Sequence, residues 1–257
     1  MNFKQLHEQE NPLLIGNVWD VSSAKIFEKL NFLALATSSA AIAHTLGYAD
    51  GEKLPFAELE FIVRRIIAST ALPLSVDIEG GYSRNATIIA ENITKLYHLG
   101  VVGINIEDSL VGDRRELMEA GEFQILLTTI KNELAKKNVD IFINLRTDTF
   151  LLGLPNALDE TIKRIHLYEQ VGIDGIFVPC IENESDILNV VQATNLPINV
   201  LCMPQLPNFE TLKQLGVKRI SMGNSVHASV YQHLKKIASD IVSAKSFSPI
   251  FHHENNQ

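Results

Sequence analysis

Asp77 and Glu79 are separated by one residue and followed by two glycines, in the run Asp77-Ile78-Glu79-Gly80-Gly81. In an extended chain, residues i and i+2 face the same side, so these carboxylates point together, roughly 6–7 Å apart along the backbone. Two further same-face pairs are Asn105 with Glu107 and Asn144 with Arg146. Carboxylates gathered in a cleft repel one another and take up protons unless a cation intervenes. Arg146 alone cannot balance them, whereas Mg²⁺ or Mn²⁺ suits oxygen-only ligands of this kind. Isolated acids have a plainer reading: Asp20, Asp108 and Asp148 could each cap a helix N-terminus. Two same-face acids beside two glycines fit capping poorly. Gly80 and Gly81 either let the backbone approach something closely or make a tight turn.

The elements that must position these groups recur along the chain. Short apolar, β-branched runs predict strands at Leu13–Val18, Leu33–Ser38, Leu72–Ile78, Val102–Glu107, Ile141–Arg146, Gly175–Pro179, Ile198–Cys202 and Arg219–Met222. Helical periodicity covers Ser22–Lys29, Phe56–Ser69, Asn85–Leu99, Glu122–Lys137, Ala157–Val171, Glu184–Thr194, Phe209–Leu215 and Val226–Ser243. Gly100, Gly172 and Gly216 stand where helix C-termini need a left-handed residue. Near-continuous apolar strands alternating with helices indicate a parallel sheet covered on both sides. Eight such units predict an α/β fold of the (β/α)₈ TIM-barrel type, one domain over 1–257 with 244–257 as a tail.

In such barrels the active site lies at the C-terminal strand ends. Those ends carry Asn17, Trp19 and Asp20; Thr37, Ser38 and Ser39; Asp77 and Glu79; Asn105, Glu107 and Asp108; and Asn144, Arg146 and Asp148. Two connections are long, 39–71 and 109–121, and long loops in compact domains are usually functional lids or disordered. The formal net charge of −8, without any basic tract, argues against a nucleic-acid or anionic-membrane binder. Two cysteines, Cys180 and Cys202, make neither a metal motif nor a disulfide framework. With no signal-peptide pattern and no long apolar run, the cytoplasm is the expected compartment.

At these same residues the chain resembles the isocitrate lyase/phosphoenolpyruvate mutase superfamily, nearest to its carboxyphosphonoenolpyruvate mutase-like members. The resemblance runs through Thr37-Ser38-Ser39-Ala40, Gly47-Tyr48-Ala49-Asp50, Asp77-Ile78-Glu79-Gly80-Gly81-Tyr82, Gly103-Ile104-Asn105-Ile106-Glu107-Asp108 and Arg146-Thr147-Asp148. It implies Mg²⁺ (or Mn²⁺) on Asp77, Glu79 and Glu107, directly or through water, with Asp50 close by. It implies Arg146, Asp50 and Ser39 as catalytic groups. Trp19, Ser38, Ser39, Gly47, Arg146 and Asn199 would surround the substrate. The implied chemistry makes or breaks a C–C or P–C bond next to an α-keto or α-hydroxy carboxylate, through an enolate stabilised by the metal. An oxaloacetate-like acid is the expected substrate class. Relatives form oligomers by exchanging their last helices, so Val226–Ser243 is expected to pack on a neighbouring subunit in a dimer or tetramer.

Departures narrow the reaction. The Lys-Lys-Cys-Gly-His motif of the isocitrate and methylisocitrate lyases is missing from the loop Ser109–Met118, as is the Pro-Lys-x-Asn segment of phosphonopyruvate-handling members. The sixth strand ends in Pro179-Cys180 rather than Glu. Two rival readings follow. One is a phosphate-recognising barrel enzyme without metal, using Gly223-Asn224-Ser225. The other is a non-catalytic carboxylate sensor that kept the pocket and lost turnover. Cys180, Cys202 and His44 are weaker candidates, better explained as small hydrophobes and a helix-surface residue. Arg114 and Arg115 either reach an anionic substrate or form a solvated charge run.

Overall fold

A near-continuous apolar strand is stable only when both faces are covered, and alternating helices supply that cover. The computed structural model, which describes residues 2–112 and 114–251, shows this alternation throughout. In chain order the elements are β1 (Leu13–Leu14), β2 (Gly16–Val18), α1 (Val21–Lys29), β3 (Leu35–Thr37), α2 (Ser39–Thr45), α3 (Phe56–Ile67), β4 (Leu74–Asp77) and α4 (Ala86–Leu99). Then come β5 (Gly103–Glu107), β6 (Ser109–Val111), β7 (Arg115–Leu117), α5 (Ala120–Lys136), β8 (Phe142–Arg146), α6 (Ala157–Tyr168) and β9 (Gly175–Val178). The last are α7 (Glu184–Gln192), β10 (Ile198–Leu201), α8 (Phe209–Leu215), β11 (Arg219–Ser221), α9 (Ser225–Ala244) and α10 (Ser248–Phe251). Gly100 and Gly216 end α4 and α8 in the left-handed conformation, as their positions predicted.

Nine parallel strands form one sheet in the order β2-β3-β4-β5-β8-β9-β10-β11-β1. Its two ends are halves of one segment, so the sheet is a nearly closed barrel. The join is a change of partner: the Ile15 amide donates to Ile220 O (3.0 Å), while the next amide, Gly16, donates to Ala34 O (3.2 Å). Gly16 is required there, since a Cβ would lie 2.8 Å from the Phe27 ring of α1. At the N-terminal end of the strands a short 3₁₀ turn, Lys4–His7, packs Phe3 and Leu6 with Leu13, Ile15, Ala34, Ala36 and Phe142. His7 stacks on Phe142 with ring centroids 4.4 Å apart. The barrel thus has an aromatic floor and leaves its other end for chemistry.

The two long connections are not structureless. The first contains α2, a seven-residue helix capped by Ser38, whose Oγ accepts from the Ala41 amide. The second holds β6 and β7, an antiparallel hairpin with Ser109 opposite Leu117 and Val111 opposite Arg115. Its residue Asp113 lies outside the described residues, as do 252–257 of the expected tail. The chain divides into two compact units, Met1–Gly223 and a second beginning at Asn224. The first is the barrel. The second contains α9 and α10; α9 leaves Val230, Leu234 and Val242 exposed. Among the described residues, no helix is long and apolar enough to cross a membrane.

The possible caps resolve differently. Asp20 caps α1, accepting from the Ser23 amide at 2.7 Å. Asp108 caps no helix; it is fully buried behind the sheet, where it accepts from Arg164 (2.9 Å), Tyr168 (3.1 Å), Thr147 (2.8 Å) and the Asp148 amide (3.1 Å). This network ties α6 to the ends of β5 and β8. Because Arg164→Leu strands the Asp108 charge, it should cost about 3–5 kcal/mol, read as a lowered urea midpoint.

Candidate active site

The site is built where β3, β4, β5 and β8 end. Strand register sets Asp77 beside Asn105, Asn105 beside Asn144, and Glu107 beside Arg146. Asn144 Nδ2 donates to Asn105 Oδ1 at 2.9 Å, so the amides form a layer beneath the charged groups. The Asp77 amide donates to Thr37 Oγ1 (2.9 Å), and its Oδ2 accepts from Ser39 Oγ (2.8 Å). Ser39 opens α2, so that helix is what carries its hydroxyl to the acid.

Glu79 does not reach the site by strand alternation. β4 stops at Asp77, and Glu79 takes a left-handed conformation with φ 51°. Its amide donates to Asp77 Oδ1 (3.2 Å), its carboxylate accepts from the Glu52 amide (2.7 Å), and the Tyr82 hydroxyl lies 3.5 Å away. Glu52 in turn accepts from the Tyr82 amide (2.7 Å) and from Arg84 (2.7 Å). The loop 50–54 therefore clasps the turn after β4, a role no sequence pattern singled out.

Two guanidinium groups bind the remaining acids. Arg146 holds Asp148 through Nε (2.6 Å) and Nη2 (3.1 Å), and its Nη1 stands 3.0 Å from Glu107. Arg115, carried on the hairpin, donates to both Glu107 and Asp148, the latter at 2.9 Å. Ser109 Oγ bridges the same two acids at 3.1 and 2.6 Å. Arg115 is thus no solvated charge run but a partner of the site's own acids, and Asp148 is an ion-pair partner rather than a cap. Asp50 is over half exposed, and Arg115 Nη2 lies 4.0 Å from it.

Burial governs the electrostatics. Burial pushes Glu79 up to about 8, helped by repulsion from Asp77, Asp50 and Glu107. Burial raises Glu107 to about 7 although Arg146 pulls the other way. Asp77 is also raised by burial, against the pull of Arg146 and Ser39. For Arg146 burial opposes the charge, but Glu107, Asp148 and Asp77 overcome it and hold the guanidinium firmly protonated. The cluster is thus short of positive charge even with both arginines in place. Among the described residues, no three His, Cys, Asp or Glu side chains form a ready cage for a metal ion.

The other predicted residues are placed as follows. Ser38 is buried at the head of α2 and Trp19 is buried after β2, its amide donating to Ser23 Oγ (3.2 Å). Gly47 is exposed just beyond α2 with φ 82°. Asn199 is fully buried within β10, its Oδ1 accepting from Ser221 Oγ at 2.9 Å. Cys180 follows β9 with φ 64°, half-buried, and Cys202 is exposed. His44 is exposed on α2. Asn224 precedes α9 without a side-chain cap.

A nearly closed (β/α) barrel with charged groups gathered at the C-terminal strand ends is the architecture of the TIM-barrel enzymes. The profile of the phosphoenolpyruvate phosphomutase family matches residues 3–242. The chain belongs to that family, within the phosphoenolpyruvate mutase/isocitrate lyase superfamily of lyases and mutases. It is 31% identical to an uncharacterized protein of Mycobacterium tuberculosis (strain ATCC 25618 / H37Rv), covering 93% of this chain and 90% of that one. It is 30% identical to an oxaloacetate decarboxylase of Bradyrhizobium diazoefficiens, covering 91% and 81%. A solved structure of a proposed phosphonomutase from Burkholderia cenocepacia J2315 superposes with a TM-score of 0.87 at 33% identity, over 92% of this chain and 97% of that one.

The raised carboxyls give a pH dependence with a definite sign. Above about pH 4.5 Glu79 ionises in the unfolded chain, but in the folded one it stays protonated up to about 8. Metal-free protein should therefore lose roughly 2 kcal/mol from Glu79 alone as pH rises from about 6.5 to its folded value near 8. Thermal melts in chelator should show this fall, Glu79→Gln should flatten it, and added Mg²⁺ should raise the melting temperature most at the alkaline end.

Proposed function

We propose that this protein is a divalent-metal-dependent lyase that cleaves the C–C bond one carbon removed from the keto group of a small dicarboxylate, with decarboxylation of oxaloacetate as the leading reaction. The observation that carries this reading is the buried set Asp77, Glu79 and Glu107, short of cationic charge, beside an arginine pair suited to a carboxylate. Enzymes of this superfamily are typically divalent-metal dependent. The donor set fits such an ion: it is all oxygen, it is destabilised by its own charge, and Glu107 Oε2 accepts no hydrogen bond among the described residues. Because the acids form no closed cage, Asp77, Glu79 and Glu107 would hold the ion in part through water, as Mg²⁺ commonly requires. When bound, Mg²⁺ or Mn²⁺ supplies positive charge beside the enolate oxygen that develops during cleavage.

The protein's own groups do the rest. Arg146 donates two of its five N–H groups to Asp148 and forms an ion pair with Glu107, which fixes its plane and leaves N–H groups for the substrate's C1 carboxylate. Ser39, at the head of α2, donates its hydroxyl to Asp77 and keeps that carboxyl in one orientation. The C3–C4 bond then breaks, its electron pair passes to C3–C2 and the keto oxygen, carbon dioxide leaves, and protonation at C3 yields pyruvate. The hairpin carrying Arg115 covers this mouth and keeps bulk water from the enolate. The oxaloacetate decarboxylase relatives favour this substrate over a phosphonate. For α9, its exposed Val230, Leu234 and Val242 support the expected exchange between subunits.

Turnover of oxaloacetate, followed as pyruvate and carbon dioxide, should require Mg²⁺ or Mn²⁺ and vanish with chelator. Asp77→Ala and Arg146→Ala should each lower kcat/KM by about 100-fold or more, in keeping with loss of one preorganised electrostatic contact. Oxalate, planar like the enolate, should inhibit only when metal is present. Metal-dependent binding of oxalate without turnover of any 2-oxo acid would replace the enzyme with the sensor reading. Arg115→Met should raise KM more than it lowers kcat if the hairpin contributes binding rather than chemistry.

A further inference from the structure

The most demanding group in the barrel is not at its mouth. Arg219, the first residue of β11, is 1% exposed, and none of Nε, Nη1 and Nη2 finds a hydrogen-bond partner among the described residues. An isolated buried guanidinium is far too costly to persist without an anion or a dense set of acceptors. On the sheet it is in register with Leu13 of β1 and Asn199 of β10. Asp77, at the C-terminal end of β4, attracts it from above, and His7, on the floor turn, is disfavoured as a cation by it from below. The guanidinium therefore lies inside the sheet, between the acidic mouth and the aromatic floor.

Other polar atoms in the same region are equally unmatched. Asn199 pairs in register with Arg219, and its Nδ2 has no partner among the described residues. Ser75 Oγ has none either, and lies 3.2 Å from where a Gly103 Cβ would stand, a space bounded also by Phe3 and Phe142. A Cβ at Gly175 would meet Phe142 and Asn144 within 3.2 Å, so two glycines hold side-chain volume out of this layer. His7 Nδ1 is 3.0 Å from Phe3 O; with the ring neutral, this leaves Nε2 as an acceptor facing inward without a partner. Below His7 a cavity of about 440 Å³ opens at the N-terminal ends of the strands, lined also by Lys4, Phe142, Asp174 and Lys218.

We propose that the barrel interior binds a small monovalent anion, of the size of chloride, nitrate or formate, on the Arg219 guanidinium, Asn199 Nδ2 and Ser75 Oγ. Each of these donates, and none has another taker. One guanidinium balances one negative charge. A dianion would face Asp77 across the interior without a second cation, and full burial limits the occupant to a few atoms. The floor cavity, lined by His7, Lys4 and Lys218, would give the anion its approach from the N-terminal end of the strands. This site is independent of substrate at the mouth, where Arg146 is already committed to Glu107 and Asp148.

Melting the metal-free full-length protein at fixed ionic strength, with gluconate replaced by chloride or nitrate, tests the proposal. Saturating chloride should raise the melting temperature by about 2–5 °C, as expected for a ligand held only by the folded state. Arg219→Met should abolish the response, whereas Arg146→Ala, which removes the guanidinium at the other end, should retain it. If Arg219→Met does not fold, Asn199→Ala and Ser75→Ala should each weaken apparent chloride affinity by about threefold or more, keeping the guanidinium in place. A crystal soaked in bromide should show anomalous density beside Arg219. Melting indifferent to anion identity, a response lost in Arg146→Ala but kept in Arg219→Met, or bromide density absent from the interior would each overturn it.

Discussion

Glu107 and Arg146 are in register on adjacent strands β5 and β8, and much of the mouth of this barrel depends on that pairing. A carboxylate that is 1% exposed is destabilised by burial, and Glu107 is held by the Arg146 guanidinium 3.0 Å away together with Arg115 and Ser109. The same arginine fixes Asp148, Asp148 meets Arg115, and Arg115 ties the β6–β7 hairpin down over the acids. One strand register thus sets the position of a lid that is remote in sequence. Asp108 and Arg164 repeat the principle behind the sheet, where the pair docks α6 rather than serving chemistry.

The energetic consequence is a mouth built with too little positive charge. Two arginines face Asp77, Glu79, Glu107 and Asp148, and three of those acids are pushed toward their protonated forms. Stability is sacrificed in the metal-free protein, and a divalent ion would recover it. Functional sites commonly carry such local cost while the surrounding scaffold supplies the stability. Here the scaffold is a barrel whose floor is packed by Phe3, Leu6 and Phe142.

Most of the fold was legible in local sequence. Strand and helix positions follow from short apolar, β-branched runs and from period-3.6 patterns, and α4 and α8 end at the glycines that permit a left-handed residue. The acids at the strand ends were visible for the same reason, since the barrel architecture assigns strand ends to the site. Less visible was α2, because seven residues are too few to show a period and its Ser38 cap was read only as part of a strand-end motif. Glu79 was placed with Asp77 by strand alternation, yet it gets there through a left-handed turn clasped by Glu52.

The sequence by itself determined which residues could form strands and helices and which chemical groups stood at the strand ends, because those properties depend on neighbours a few positions apart. Tertiary structure decided which acid would meet which cation. Asp108 and Asp148 look alike as Asp residues after strands, but one pairs with Arg164 from α6 and the other with Arg146 and Arg115. Arg115 became a site residue only because β6 and β7 fold back over β5 and β8, and Arg219 became an isolated interior charge only because β11 closes against β1. Those contacts join residues far apart in the chain, so their partners are set by register and closure rather than by any local pattern.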